Sequence, residues 1–235
     1  MVATLFYQNE PGAPPFFGLK SPTNSLLFGV FQEALEAMSY SDRVIKRCFD
    51  LVTSLIGLII LLPLIIIAWL VAAIETRSNG FFIQERVGKN GDLFQVYKIK
   101  TMKRVEGVDT TITQANDVRI TKSGEFFRKT KIDELPQLWN VLIGKMSFVG
   151  PRPDVSGYAD KLDGDDRVVL TIRPGITGPA SMKYKDEEEL LSKQVDPEEY
   201  NDKVIWPDKV KVNKEYIRSW SFKKDVEYII KTVIG

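Results

Sequence analysis

Asp133 and Glu134 are adjacent carboxylates in a segment crowded with cations: Arg128, Lys129 and Lys131 stand within a turn of them. Two neighbouring carboxylates offer hard oxygen ligands of the kind Mg²⁺ takes beside substrate phosphates. The cations could neutralise a diphosphate. Further candidates for phosphate contact lie elsewhere in the chain. Lys98 and Lys100 alternate on a strand-like run, Arg152 is held between Pro151 and Pro153, and Arg173 precedes Pro174-Gly175. A planar guanidinium can grip a phosphate with two hydrogen bonds.

These residues must be positioned by their surroundings. Ile132, Leu135, Leu138, Trp139 and Leu142 recur at helical spacing and predict a buried stripe, with Asp133, Gln137 and Asn140 on a polar face. Pro136 is tolerated only in a first turn, so the helix should begin near Ile132 or Asp133. That position admits two readings of Asp133. It can cap the helix, accepting backbone hydrogen bonds. Alternatively it is a reactive carboxylate kept ionised where backbone donors also receive a phosphate.

Composition narrows the chemistry. The 235 residues suit one good-sized domain, and the formal net charge of +1 gives no basic field, so nucleic acid is not expected as a partner. Histidine is absent, which removes Ser-His and Cys-His pairs and His-ligated zinc. The single Cys48 excludes an internal disulfide and reads as a small hydrophobe beside an apolar run.

That run, Leu51–Ile74, contains 24 residues without a charge. About 20 suffice to span a bilayer as a helix. Pro63 falls near its midpoint, and basic residues flank both ends: Arg43, Lys46 and Arg47 before, Arg77, Arg86 and Lys89 after. Basic flanks favour the cytoplasmic side. A helix broken at Pro63 that enters and leaves one leaflet fits both features, and a spanning helix with a proline kink is the alternative.

The chain thus divides into an N-terminal extension (1–40) of unknown role, with a helical-looking Leu26–Met38, a membrane-inserted helix (41–76), and a catalytic domain (77–235). Phe81–Arg86 and Leu93–Lys100 predict a hairpin around Asn90-Gly91. Residues 103–118 read as a polar loop, Gly124–Leu142 as a helical stretch, and 147–180 mostly as turns. Residues 185–202 form an acidic helix-prone segment, and 209–233 one or two amphipathic helices. Trp206, Tyr216, Trp220 and Phe222 suit either core packing or the bilayer interface. The expected fold class is α+β and mostly helical: a re-entrant or single membrane helix, a cytoplasmic domain with a small β-hairpin, and amphipathic interfacial helices.

The run DELPQLWNVLIGKMSFVGPRP, Asp133–Pro153, strongly resembles the signature of the bacterial sugar transferases, the monotopic phosphoglycosyl transferases. The resemblance extends to the membrane segment with its preceding RVIKRCFD, to the hairpin, to Asp117-x-Arg119-x-Thr121-x-x-Gly124, and to RPGITGPA at Arg173–Ala180. It covers roughly Arg43 to Gly235 in the family's order. It implies transfer of a sugar phosphate from a UDP-sugar to polyprenyl phosphate at the bacterial inner (cytoplasmic) membrane, with the active site on the cytoplasmic face. Asp133 would attack the β-phosphate, release UMP and carry the phosphosugar, as the first membrane step of glycoconjugate assembly. Mg²⁺ would bridge Asp133, Glu134 and the diphosphate. The implied partners are UDP-sugar, polyprenyl phosphate and membrane lipid, with oligomeric state, the sugar and Glu134's exact part left open. Two positions depart from the pattern: Lys145 where an acid is common, and Leu62 before the proline where Ser is common. A catalytically inactive membrane scaffold is the competing reading; a soluble nucleotide-binding enzyme conflicts with the apolar run and the lack of a Gly-rich phosphate loop.

Overall fold

The computed structural model describes residues 38–105 and 117–234. The N-terminal extension up to residue 37, including most of the Leu26–Met38 prediction, lies outside the described residues, as does most of the polar 103–118 segment.

The apolar run forms the centre of one 37-residue helix, α1 (Tyr40–Thr76). Ser39 caps it, accepting from the Asp42 backbone N–H while the Asp42 side chain reaches back to the Ser39 N–H. Pro63 lies inside α1 and does not divide it into two elements. The expected break is therefore corrected to a single helix that contains the proline. The missing N–H still removes one intrahelical bond, so a bend there is compatible with this continuity. One face of α1 packs inward: Ile65, Ala68 and Ala72 are buried with Ile99 and Phe127. The other faces carry exposed Ile56, Ile59, Ile60, Ile67 and Leu70. This helix is long and apolar enough to cross a membrane. Cys48 is a free, exposed thiol on α1.

β1 (Phe81–Val87) and β2 (Leu93–Ile99) pair antiparallel, with Phe82 opposite Lys98 and Val87 opposite Leu93. Lys89–Gly91 turns the chain, with Asn90 and Gly91 both at positive φ, the conformation Asn-Gly adopts readily. The Asp117–Gly124 motif resolves into local structure. Arg119 grips the Asp117 carboxylate with Nε and Nη2. Thr121 caps α2 (Lys122–Thr130) by accepting from Gly124 N–H at 3.0 Å. A Cβ on Gly124 would meet the Thr101 carbonyl at 2.2 Å.

The helical stretch expected from Gly124 to Leu142 is interrupted. Lys131 adopts the left-handed region (φ 59), Ile132–Glu134 make a 3₁₀ turn, and α3 (Gln137–Leu142) follows. Its faces also differ from the expected ones. Gln137 and Asn140 are buried and Trp139 is 48% exposed. Leu138 is buried as expected, and Ile132 and Leu135 pack on a core cluster. Asn140 turns inward because its amide donates to the Gln95 carbonyl (2.7 Å) and its carbonyl accepts from Tyr97 N–H (3.2 Å), clamping α3 to β2.

β3 (Ser147–Val149) and β4 (Gly175–Thr177) pair in parallel. They bring the two glycine-rich blocks into backbone contact. A Cβ on Gly150 would lie 2.5 Å from the Arg173 carbonyl, and one on Gly178 2.2 Å from the Gly150 carbonyl. Short helices α4 (Pro179–Lys183), α5 (Glu187–Ser192) and α6 (Pro197–Tyr200) lead into α7 (Trp206–Arg218) and α8 (Phe222–Ile234). Tyr216 is fully packed, Trp206 and Trp220 lean on core clusters, and Phe222 meets Phe49 edge-on. These aromatics serve the core.

Candidate active site

The 3₁₀ turn after Lys131 presents Asp133 and Glu134 side by side. Glu134 is the charged hub. Its Oε1 accepts from Lys98 Nζ at 3.0 Å and from Arg152 Nη2 at 2.8 Å. Lys98 arrives from β2 and Arg152 from the loop after β3, so three distant segments meet on one oxygen. Burial alone would raise the Glu134 carboxyl, but Arg152 and Lys98 outweigh it and hold the group well below the usual range. Lys98 is itself pushed down, first by burial and then by Arg152.

Asp133 has the opposite environment. Its Oδ1 is buried and has no hydrogen-bond partner. Burial and the neighbouring Glu134 push its carboxyl up to about 6, against the pull of Lys98, Lys131 and Arg128. The capping reading fails here. The cap position of the turn is Lys131, the residue before α3 is Pro136, and no backbone N–H donates to Asp133. A buried carboxylate without a donor is a group awaiting a cation or a reacting atom.

The structure gathers Asp133, Glu134, Lys98 and Arg152, with Arg128 near enough to act on Asp133 electrostatically. Arg128 also pairs with Glu188 of the acidic segment. Lys100 and Arg173 are not brought in. Lys100 donates from Nζ to Ser78 Oγ at 2.8 Å, and its backbone N–H bonds the Gly80 carbonyl just past the end of β2. Arg173 donates from Nε to the Gly144 carbonyl at 2.8 Å, beyond the C-terminal end of α3. Lys145 is exposed and bonds neither carboxylate.

A second layer escaped sequence reasoning. Asp154, one residue past the Pro-Arg-Pro turn, is driven up to about 6 by burial, opposed by Lys209, Arg86 and Arg152. Arg86 donates to the Gln84 side chain and the Pro153 carbonyl. Glu187 pairs with Lys209. Hairpin register was the available signal: Arg86 shares a sheet face with Lys98, since Phe82 stands opposite Lys98.

Mg²⁺ fits this donor set in a limited sense. The unpartnered Asp133 Oδ1 is an available hard ligand. Among the described residues no group of three or more His, Cys, Asp or Glu could hold a metal by itself. That suits an ion bound through one or two carboxylates and completed by substrate oxygens and water.

A sequence model of the family described as bacterial sugar transferase matches residues 41–235. A Bacillus subtilis (strain 168) protein, whose name provisionally assigns it undecaprenyl-phosphate N-acetylgalactosaminyl 1-phosphate transfer, is 43% identical over 122 residues, covering 52% of this chain and 68% of that protein. The Escherichia coli (strain K12) UDP-glucose:undecaprenyl-phosphate glucose-1-phosphate transferase is 34% identical over 203 residues, 83% of this chain and 41% of that protein. A Caulobacter vibrioides protein of the same name is 32% identical over 193 residues, 80% of this chain and 68% of that protein. The chain thus spans about two fifths of the E. coli relative's length.

Proposed function

From the premise that the chain belongs to the bacterial sugar transferase family, we propose that it transfers a sugar-1-phosphate from a UDP-sugar to polyprenyl phosphate. The observation that carries this reading is the contrast between the two carboxylates: Glu134 paired through Oε1 with Lys98 and Arg152, Asp133 with a buried oxygen that has no donor. An unsolvated carboxylate oxygen is a poised nucleophile. One Asp133 oxygen forms a bond to the β-phosphorus, and the bond from that phosphorus to the bridging oxygen breaks. UMP leaves with the electron pair, and the phosphosugar stays on Asp133 as a mixed anhydride. A polyprenyl phosphate oxygen then attacks the same phosphorus and frees the carboxylate.

Arg152 and Lys98, held in place by Glu134, would stabilise the charge that develops on the phosphoryl oxygens. Asp133, with Glu134, would hold Mg²⁺, which when bound supplies charge neutralisation of the diphosphate. Incubating the full chain with Mg²⁺, polyprenyl phosphate and a panel of UDP-sugars should release UMP and yield a polyprenyl-diphosphate sugar. Asp133→Asn should abolish both products. UMP release by none of the UDP-sugars would instead favour the inactive scaffold.

For the membrane we propose re-entry from the cytoplasmic side, the side that the basic residues on both flanks favour; the contacts of α1 support a helix with both ends on one side. Near its start, Lys46 pairs with Asp225 and Arg47 donates to the Val141 and Leu142 carbonyls at 2.7 and 2.8 Å. Near its end, Glu75 accepts from Ser123 and Trp69 donates to Asn79 at 3.1 Å. Lys46 to Glu75 would reach roughly 44 Å in a straight helix, more than a ~30 Å hydrocarbon core. Both ends nonetheless bind one folded body, which a crossing would force through the bilayer. Cysteine labelling on the two flanks should mark both from the same side; labelling from opposite sides ends the re-entrant reading.

A further inference from the structure

The far end of the hairpin from Lys98 carries a second concentration of positive charge. Lys98 lies five positions along β2 from Leu93 at the turn, about 17 Å along the strand. Beyond them a cavity of about 50 Å³ opens between the hairpin turn, the start of α1 and the segment before β4. Arg43, Lys46, Lys89 and Arg173 line it, against one carboxylate, Asp50. Lys46 is committed to Asp225, and Asp50 Oδ1 accepts from Ser147 Oγ and Phe148 N–H.

The remaining three cations have no carboxylate partner among the described residues. Arg43 and Arg173 each donate from Nε to a backbone carbonyl, of Met38 and Gly144. Lys89 is half-buried, and its ammonium makes no hydrogen bond or ion pair among the described residues; only its backbone carbonyl is engaged, accepting from Asp92 N–H. Burial and then the repulsion of Arg173 and Arg43 pull its ammonium below the usual lysine range. Asp50 is the one carboxylate facing these like charges, and cations in excess over carboxylates around a cavity repel one another unless something negative enters. The volume holds several waters or one tetrahedral oxyanion.

We propose that Arg43, Lys89 and Arg173 form a phosphate-binding site separate from the candidate active site. Guanidinium and ammonium groups converging from three segments match a phosphate's several oxygens. Arg43 precedes the apolar run by eight residues, so the site lies at the level where phospholipid headgroups would meet the protein. Free phosphate offers the same chemistry.

The test uses the full chain in detergent micelles and follows thermal unfolding. Inorganic phosphate, short-chain phosphatidylglycerol and short-chain phosphatidylcholine are titrated into the native protein, Lys89→Gln and Lys89→Glu. Comparing the variants with the native protein isolates this cavity from the cations at Glu134. A saturable rise with phosphatidylglycerol alone identifies the headgroup as the source. An equal rise with inorganic phosphate identifies a free phosphate. In either case Lys89→Gln should weaken the apparent affinity about tenfold or more, and Lys89→Glu should abolish it. Without ligand, Lys89→Gln should melt no lower than the native protein, since it relieves repulsion. Titrations that do not differ between the native protein and Lys89→Gln overturn the proposal. So does a ligand-free Lys89→Gln that melts lower, which would make Lys89 a structural residue.

Discussion

Replacing Asp133 with Asn should make the protein more stable while removing its activity. In the fold, burial and Glu134 raise the carboxyl from 3.8 to about 6. Between those values the folded chain binds more protons than the unfolded one, so stability falls as pH rises through the window. Above it the full penalty applies: about two units at about 1.4 kcal/mol each, near 3 kcal/mol. Partial solvent access lowers this to about 2–3 kcal/mol. Asparagine is nearly isosteric and never ionises. For a chain of this size the gain corresponds to a rise in melting temperature of roughly 5–10 °C. Thermal unfolding of both proteins in the same detergent, without divalent cations, should give this difference at pH 8 and most of it should vanish by pH 4. A variant that melts at or below the native temperature at pH 8, or with a gain independent of pH, would refute the account of Asp133 as a desolvated, unpartnered carboxylate.

Glu134→Gln leaves Lys98 and Arg152 facing each other without their shared anion, and should lower stability by about 2–4 kcal/mol in denaturant titration, together with a large loss of transferase activity. Asn140→Ala removes both bonds to β2 and should cost about 1–3 kcal/mol, with hydrogen exchange quickening at the Tyr97 amide. Gly178→Ala places a Cβ 2.2 Å from the Gly150 carbonyl; the two glycine-rich blocks must separate, at a cost of about 1–3 kcal/mol or more, visible as a lowered unfolding midpoint. Arg173→Gln should leave the Michaelis constant for UDP-sugar nearly unchanged, because Arg173 bonds the end of α3 and not the carboxylates.

Much of the scaffold is legible because local chemistry decides it. Asn90-Gly91 tolerates positive φ, which fixes the hairpin, and an uncharged 24-residue run can only be a helix facing lipid or core. The apolar stripe holds at Ile132, Leu135 and Leu138, but Trp139 faces out and Asn140 turns in, because tertiary bonds to β2 make Asn140 worth more inside than on a polar surface. The left-handed Lys131 had no local signal, since nothing in its side chain favours that conformation. The candidate site was half legible. Asp133, Glu134, Lys98 and Arg152 were recognisable by type and motif. Asp154, Arg86 and Lys209 become site residues only through a fold that places their separate segments side by side.

The burial pattern of α1 bears on how this protein can be handled. Ile65, Ala68 and Ala72 are as much part of the interior as Ile99 and Phe127, with which they pack. Deleting the residues up to Thr76 would therefore not liberate a water-soluble domain. It would uncover the faces of β2 and α2 that α1 now covers and strand Asp225 without its cation. Expression designs that treat the lipid-facing helix as a detachable tether should yield aggregate, whereas repainting only its outward isoleucines with polar residues would keep the interior whole.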